Sequence, residues 1–323
     1  MTAAKRAGAA WLAAGLFLAV LAGCGPKVSR ILTAGGPADA VGGPRHARLY
    51  VVCDKARKLQ IFDVRERTLT AETEVGEGPS RLFLTHDYQR LHVLCAGSRE
   101  WFTFALPDLA RLQVRALEIT PAGWCEVPFQ RRDYIAAPET DRLHPFAGPR
   151  PLLPLETGGQ PVEVRFDPVQ EQLWTADYAS HTLSVLSVAD GGLLRTVPVR
   201  KNPRRLVLDP PGRAAYVLCA GGEDDPGESY LQWVDMNYHR AGLSVTVGKQ
   251  ARELCLGPYA RRAACTTREA LVVVDLRTQE TQRLETGPDP RGVDLSPDGR
   301  LAYVACRGDD SIWVYELPAA ARE

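Results

Sequence analysis

Pro290-Arg291-Gly292-Val293-Asp294-Leu295-Ser296-Pro297-Asp298-Gly299-Arg300-Leu301-Ala302-Tyr303-Val304-Ala305-Cys306 is the clearest copy of a phrase that recurs through the chain. With its first proline as origin, the same register returns at Pro37, Pro79, Pro121, Pro161, Pro203 and Ala251, at spacings of 42, 42, 40, 42, 48 and 39 residues. Seven residues beyond each origin stands a second proline (Pro44, Pro128, Pro168, Pro210, Pro258, Pro297), with His86 the one departure. Thirteen residues on, the position is mostly aromatic: Tyr50, His92, Tyr134, Trp174, Tyr216, Ala264 and Tyr303. Self-similarity at a fixed period marks a repeat architecture, and it outranks any strand-by-strand reading.

Within a unit the pattern is β. Positions three and five after the first proline are apolar, as in Leu82 with Leu84, Val164 with Phe166, Leu206 with Leu208, Leu254 with Leu256 and Val293 with Leu295; that alternation has the period of a strand. The second proline opens a turn, written Ser296-Pro297-Asp298-Gly299 in the last unit. A second strand follows (Leu49 to Cys53, Ala215 to Cys219), then a third (Leu59 to Val64, Thr182 to Val188, Tyr230 to Asp235, Leu271 to Leu276, Ile312 to Leu317), and a fourth precedes the next proline. Four short strands in roughly 42 residues is the period of a propeller blade. The expectation is an all-β, seven-bladed propeller. Its last unit, from Pro290, has only three strands, while Val28 to Thr33 precedes the first unit with nothing else to pair with. That N-terminal strand is expected to complete the last blade and remove its open edge.

The phrase from Pro290 to Leu317 resembles the YVTN family of seven-bladed propellers, through a strand like Tyr303-Val304-Ala305, and more distantly the WD-repeat proteins. Weaker copies cover most of the chain. It departs from the family in having Cys53, Cys95, Cys219 and Cys306 where asparagine is common, and in a Pro-rich, irregular third unit between Tyr134 and Thr157.

Ahead of the repeats, Lys5 and Arg6 introduce an apolar run from Ala7 to Ala22, the order of a signal peptide. It ends Leu21-Ala22-Gly23-Cys24, which resembles the bacterial lipobox. The resemblance implies removal of residues 1–23 and acylation of Cys24, leaving 24–323 as a propeller on a short lipidated tether held at a membrane by acyl chains. Gly25 after the cysteine resembles outer-membrane sorting, so the expected location is an outer-membrane lipoprotein facing the periplasm or the cell surface.

The 323 residues carry 39 basic and 39 acidic side chains. A balance of zero offers no basic field for a nucleic-acid backbone. HExxH, GxSxG, P-loop, GxGxxG and CxxCH motifs are absent and the six histidines are scattered, so no cofactor and no metal are expected. Glu223, Asp224, Asp225 and Glu228 form an acidic insertion without the ordered ligand spacing of a calcium loop. Asp63, Asp235 and Asp275 end third strands, where a carboxylate caps a turn. Arg307-Gly308-Asp309 spells an adhesion tripeptide but fits a tight turn between two strands. Equivalent cysteines of neighbouring blades should stand about 10 Å apart, beyond the reach of a disulfide, so Cys53, Cys95, Cys219 and Cys306 are expected as thiols.

The most informative polar set stands two residues after each origin: Asp39, Arg81, Gly123, Glu163, Arg205, Glu253 and Gly292, with Arg204, Arg252 and Arg291 one position earlier. These begin the innermost strands and should gather at one mouth of the central channel, either as compensating ion pairs or as a polar recess for a ligand or a partner's loop. The leading functional expectation is a non-enzymatic, monomeric, lipid-anchored binding or scaffold module for a protein or small ligand of the bacterial envelope. The alternative resembles propeller lactonases, with Glu163 or Glu253 as base, arginines stabilising an oxyanion, and with or without a divalent metal. Cys24→Ser should abolish acylation and alter processing of the precursor. Normal maturation of that variant with acyl chains attached, seen by mass spectrometry, would refute the tether.

Overall fold

In the computed structural model, residues 27–43, 48–220 and 227–318 are described. The expected signal peptide, Cys24, and Glu223, Asp224 and Asp225 of the acidic insertion lie outside them. The described chain forms seven antiparallel sheets arranged as the blades of a propeller. Blade 1 runs from Pro37 to Glu74, blade 2 from Pro79 to Ala116, blade 3 from Gly123 to Glu156 and blade 4 from Pro161 to Pro198. Blade 5 runs from Pro203 to Lys249, blade 6 from Glu253 to Glu285 and blade 7 from Pro290 to Glu316. Strands follow one another outward in chain order within each blade, so every first strand lines the axis.

Burial grades along that radial order. The second strand of blade 1, Arg48–Cys53, is buried on both faces beyond its first residue, whereas the outermost, Thr68–Glu74, is mostly exposed. A sheet sandwiched between two others has no solvent face except at its rim, so its middle strands read as continuous apolar runs and its outer strand as polar. The apolar side chains gather into seven clusters, one at each junction between adjacent blades. The aromatic repeat position supplies some of the largest of them, with Tyr134, Trp174 and Tyr303 almost wholly buried.

The ring closes as expected. Val28–Leu32 pairs antiparallel with Ser311–Glu316, setting Ile31 opposite Ile312 and Arg30 opposite Trp313. Ile31 enters the cluster between blades 7 and 1, and the Arg30 guanidinium lies 4.1 Å from the Trp313 ring centroid. Beyond the strand, Thr33 donates twice to the Asp310 carbonyl, and the Gly36 amide donates to Asp310 Oδ1 at 2.7 Å.

Other expectations are refined. The inner strands of blades 3 and 6 begin at Gly123 and Glu253, two residues after Pro121 and Ala251. Blade 3 carries five strands, its outer position shared by the short pieces Arg150–Pro151 and Leu155–Glu156. Asp63, Asp235 and Asp275 each accept backbone amides of the following turn. Cys53, Cys95, Cys125, Cys219, Cys255, Cys265 and Cys306 are all free thiols, and burial pushes Cys95, Cys219 and Cys306 up to about 12.

Deleting residues 28–33 removes Ile31 from a sealed cluster, a loss of roughly 2–5 kcal/mol for a large aliphatic side chain, and uncovers the backbone edge of Ser311–Glu316. The melting temperature should fall by on the order of 10 °C or more. An unchanged melt would show that closure does not depend on this strand.

Candidate functional site

Five inner strands carry a register shift just after their first residue, at Pro37/Asp39, Pro79/Arg81, Pro161/Glu163, Pro203/Arg205 and Pro290/Val293. The proline lacks an amide hydrogen for the ladder, and an extra residue at this point breaks the pairing and re-aims the next side chain. The irregularity therefore recurs at the origin of the repeat, immediately before the polar position. The residue ahead of it is left-handed in most blades: Gly36, Gly78, Gln160, Asn202, Gln250 and Asp289 have φ between 51° and 65°.

The polar set divides into two layers. Asp39, Arg81, Glu163 and Glu253 are buried inside the channel, with 5%, 6%, 0% and 8% of their surface exposed. They form a plug below the mouth. Arg81 spans it: Nη1 donates to Glu163 Oε2 at 3.0 Å, Nε stands 3.8 Å from Asp39 Oδ2, and Nη2 stands 3.9 Å from Glu253 Oε1. Arg205 Nε donates to both Glu253 oxygens at 2.8 Å, and Arg165 Nη1 lies 3.0 Å from Glu163 Oε1. Three guanidiniums thus meet three carboxylates. Asp39 also accepts the amides of Leu82 and Ala40, stitching blade 1 to blade 2.

The two glycines of the set have a steric reason. A Cβ at Gly123 would stand 2.8 Å from the Glu163 Cα, and one at Gly292 would stand 2.8 Å from both the Cα and Oδ1 of Asp39. Only a bare backbone lets those inner strands approach their neighbours so closely. Without a side chain at Gly123, Arg81 of blade 2 reaches Glu163 of blade 4.

The plug is electrostatically uneven. Burial, and then the Glu253 charge, push the Asp39 carboxyl up to about 7 against the pull of Arg81. Burial opposes ionisation of Glu253 as well, but Arg205 and Arg81 outweigh it and hold that carboxyl below its usual range. Burial likewise disfavours the Arg81 cation, and the surrounding carboxylates more than offset it, so Arg81 stays charged.

Above the plug a recess of about 390 Å³ opens at the starts of the inner strands, lined by Arg204, Arg205, Arg252, Arg291 and Arg307 with Asp54 and Glu253. Arg204 is exposed. Arg252 and Arg291 share Asp289, Arg291 Nη2 lying 3.1 Å from Asp289 Oδ2, while Arg307 Nε donates to Asp54 Oδ2 at 2.8 Å. Three further residues of this mouth lie outside the polar set that follows the repeat origins. Arg307, Asp54 and Asp289 come from loops outside the inner strands, and their signals are the place of Asp289 immediately before the repeat proline and the shared place of Asp54 and Arg307 immediately after Cys53 and Cys306. Arg307 belongs to the adhesion-like tripeptide, yet its side chain turns into the recess, and Asp309 accepts from Ser311 and Trp313 of its own blade.

At the far ends of the inner strands lies a second, wider hollow of about 870 Å³, lined by Leu82, Phe83, Trp124, Phe166, Leu256 and Asp294 among others. The plug separates it from the arginine-rich mouth. Among the described residues no group of three or more His, Cys, Asp or Glu is placed to hold a metal ion, and no helix is long and apolar enough to cross a membrane.

Removing one partner of a buried ion cluster leaves uncompensated charge, at a cost of roughly 3–5 kcal/mol. Arg81→Met should therefore lower stability by about that amount in denaturant melts. Adding Asp39→Asn should recover part of the loss by deleting one of three carboxylates left facing each other. Strict additivity of the two substitutions would show that Arg81 and Asp39 are uncoupled.

No family model matches the chain. It is similar to Antigen Lp49 of Leptospira interrogans, 22% identical over 293 residues, which are 87% of this chain and 57% of that protein. The chain thus spans little more than half the length of this relative. Among solved structures it is similar to a chain of Kuenenia stuttgartiensis hydrazine synthase, with a TM-score of 0.76 at 16% identity over 88% of this chain and 96% of that one. It is similar also to the β-propeller domain of Myceliophteria thermophila Cps50 (Swd1), with a TM-score of 0.76 at 9% identity over 91% of this chain and 100% of that domain. At such identities the likeness is one of fold, and the fold is an all-β, seven-bladed propeller.

Proposed function

We propose that this chain is a recognition module of the bacterial cell envelope, a YVTN-like propeller tethered through Cys24, which holds a protein or small ligand at the arginine-lined mouth of its channel. The observation that carries this reading is the division of the channel polar set into two layers. Below, Asp39, Arg81, Glu163 and Glu253 are buried and paired with one another and with Arg165 and Arg205, which suits a structural role. Above, the mouth arginines surround open space at one end of the axis, where all seven blades converge.

The same division weighs against Glu163 or Glu253 as a catalytic base. A general base works best with a pKa near the working pH. Glu253 is held below the ordinary carboxylate range, and Glu163 is fully buried between Arg81 and Arg165. Glu253 is a poor proton acceptor in this setting, and Glu163 has no exposed surface through which to meet a substrate. The name of the Leptospira relative as an antigen supports exposure at a cell surface, in keeping with a lipid tether.

Arg205 is unsuited to a test by charge reversal, because its Nε bond to both Glu253 oxygens makes it part of the plug. Arg204 is exposed and has no hydrogen bond or ion pair from its side chain among the described residues, so Arg204→Glu should leave the melting temperature within a degree or two. Proteins captured from membranes by the full-length lipoprotein should be lost from this variant at unchanged stability. Capture that persists at wild-type level would move recognition to another face.

A further inference from the structure

The mouth holds more cationic groups than its own carboxylates can use. Five arginines line the recess, against Asp54 and Glu253 in the lining and Asp289 beside it. Arg205 is committed to Glu253 and Arg307 to Asp54. That leaves Arg204, Arg252 and Arg291 with one carboxylate, Asp289, which Arg307 Nη1 also approaches at 3.8 Å. Arg291 Nε is buried without an acceptor among the described residues. A guanidinium carries five N–H donors in a planar fork and no acceptor. Donors and positive charge are therefore both in surplus, in a cavity whose volume falls within the range of small-ligand sites.

Asp289 shows what such a cluster takes. Its two oxygens are divided between Arg252 and Arg291, and although burial opposes its charge, these two arginines hold the carboxyl below its ordinary range. A second oxyanion beside it would meet Arg204 and the free edges of Arg252 and Arg291, while Asp54, bonded to Arg307 through Oδ2, keeps a buried Oδ1 without a donor among the described residues. A neutral or cationic group would leave the surplus as it stands.

Resting on the reading of the mouth as a recognition site, we propose that its ligand presents an oxyanion, a carboxylate or phosphate group, held by Arg204, Arg252 and Arg291. Planar two-oxygen anions match the guanidinium fork, which gives the site geometric selectivity beyond its charge. The group can belong to a free metabolite or to a larger envelope molecule, since the recess opens directly to solvent.

The test is calorimetric titration of the mature protein at low ionic strength with inorganic phosphate, citrate and, as a neutral control, glucose. Phosphate or citrate should bind saturably and glucose should not. Affinity should fall about tenfold or more in both Arg204→Gln and Arg252→Gln, and should weaken as salt is raised. Thermal melts of the two variants establish that they are folded, and Arg57→Gln, a change in the second-to-third-strand turn of blade 1, should leave binding unaltered. Anion binding with a macromolecular source adds one outcome: millimolar citrate or phosphate should displace a partner captured from membranes, whereas a free metabolite needs no such partner. Absence of binding by both anions, or binding indifferent to both mouth variants, overturns the inference. If that happens while capture still depends on Arg204, the recognition module stands and only its ligand class is wrong; if capture is indifferent as well, both fall.

Discussion

Ring closure through Val28–Leu32 and Ser311–Glu316 is the constraint on which the remainder depends. A blade has two broad apolar faces and hides them only against neighbours on both sides, so a seven-blade arc left open would expose two faces and a backbone edge. The N-terminal strand joins the first and last parts of the chain in a single sheet, and Ile31 seals the junction that sequence separation would otherwise leave weakest. Contacts between residues nearly three hundred positions apart, such as Thr33 with Asp310, make the circle a closed structure.

Closure also fixes a narrow axis, and that narrowness determines the fate of the inner charges. Inner strands that approach within the clearance of Gly123 and Gly292 leave too little room for hydrated side chains. Ionised groups placed there must neutralise one another or lose their charge. Arg81, Arg165 and Arg205 answer Asp39, Glu163 and Glu253, and the carboxyl served least well, Asp39, is the one driven toward neutrality. A plug of this kind joins blades 1, 2, 4 and 6 across the axis through Arg81 and its three carboxylates.

The consequence is two unlike hollows on one scaffold. One end presents arginines from three consecutive blades around a modest recess; the other presents Phe83, Trp124 and Phe166 around a wider one. Propellers of widely different sequence share the blade scaffold, which is why structural neighbours at 9% and 16% identity speak to the fold and leave chemistry to the residues at the ends of the channel.

Much of this was determined by sequence alone. The seven origins from Pro37 to Pro290, the alternation of Val293 with Leu295, and the unpaired Val28 to Thr33 specified a closed seven-bladed β ring, because period and pairing are local or countable properties of the chain. The identity of the axial polar set was legible for the same reason, as one repeat position seen seven times. Its separation into a buried plug and an open mouth follows the repeat too, the plug standing two residues after the origins and Arg204, Arg252 and Arg291 one, but which of the two positions is sealed was not legible. Asp39 and Arg204 stand at adjacent repeat positions, yet one is sealed and the other solvated, since depth along the axis depends on bulges after the prolines and on how closely the strands converge. Asp54 and Arg307 stand at one repeat position, the residue after Cys53 and Cys306, but their bond across the junction of blades 1 and 7, and the approach of Arg307 to Asp289, exist only in the closed ring.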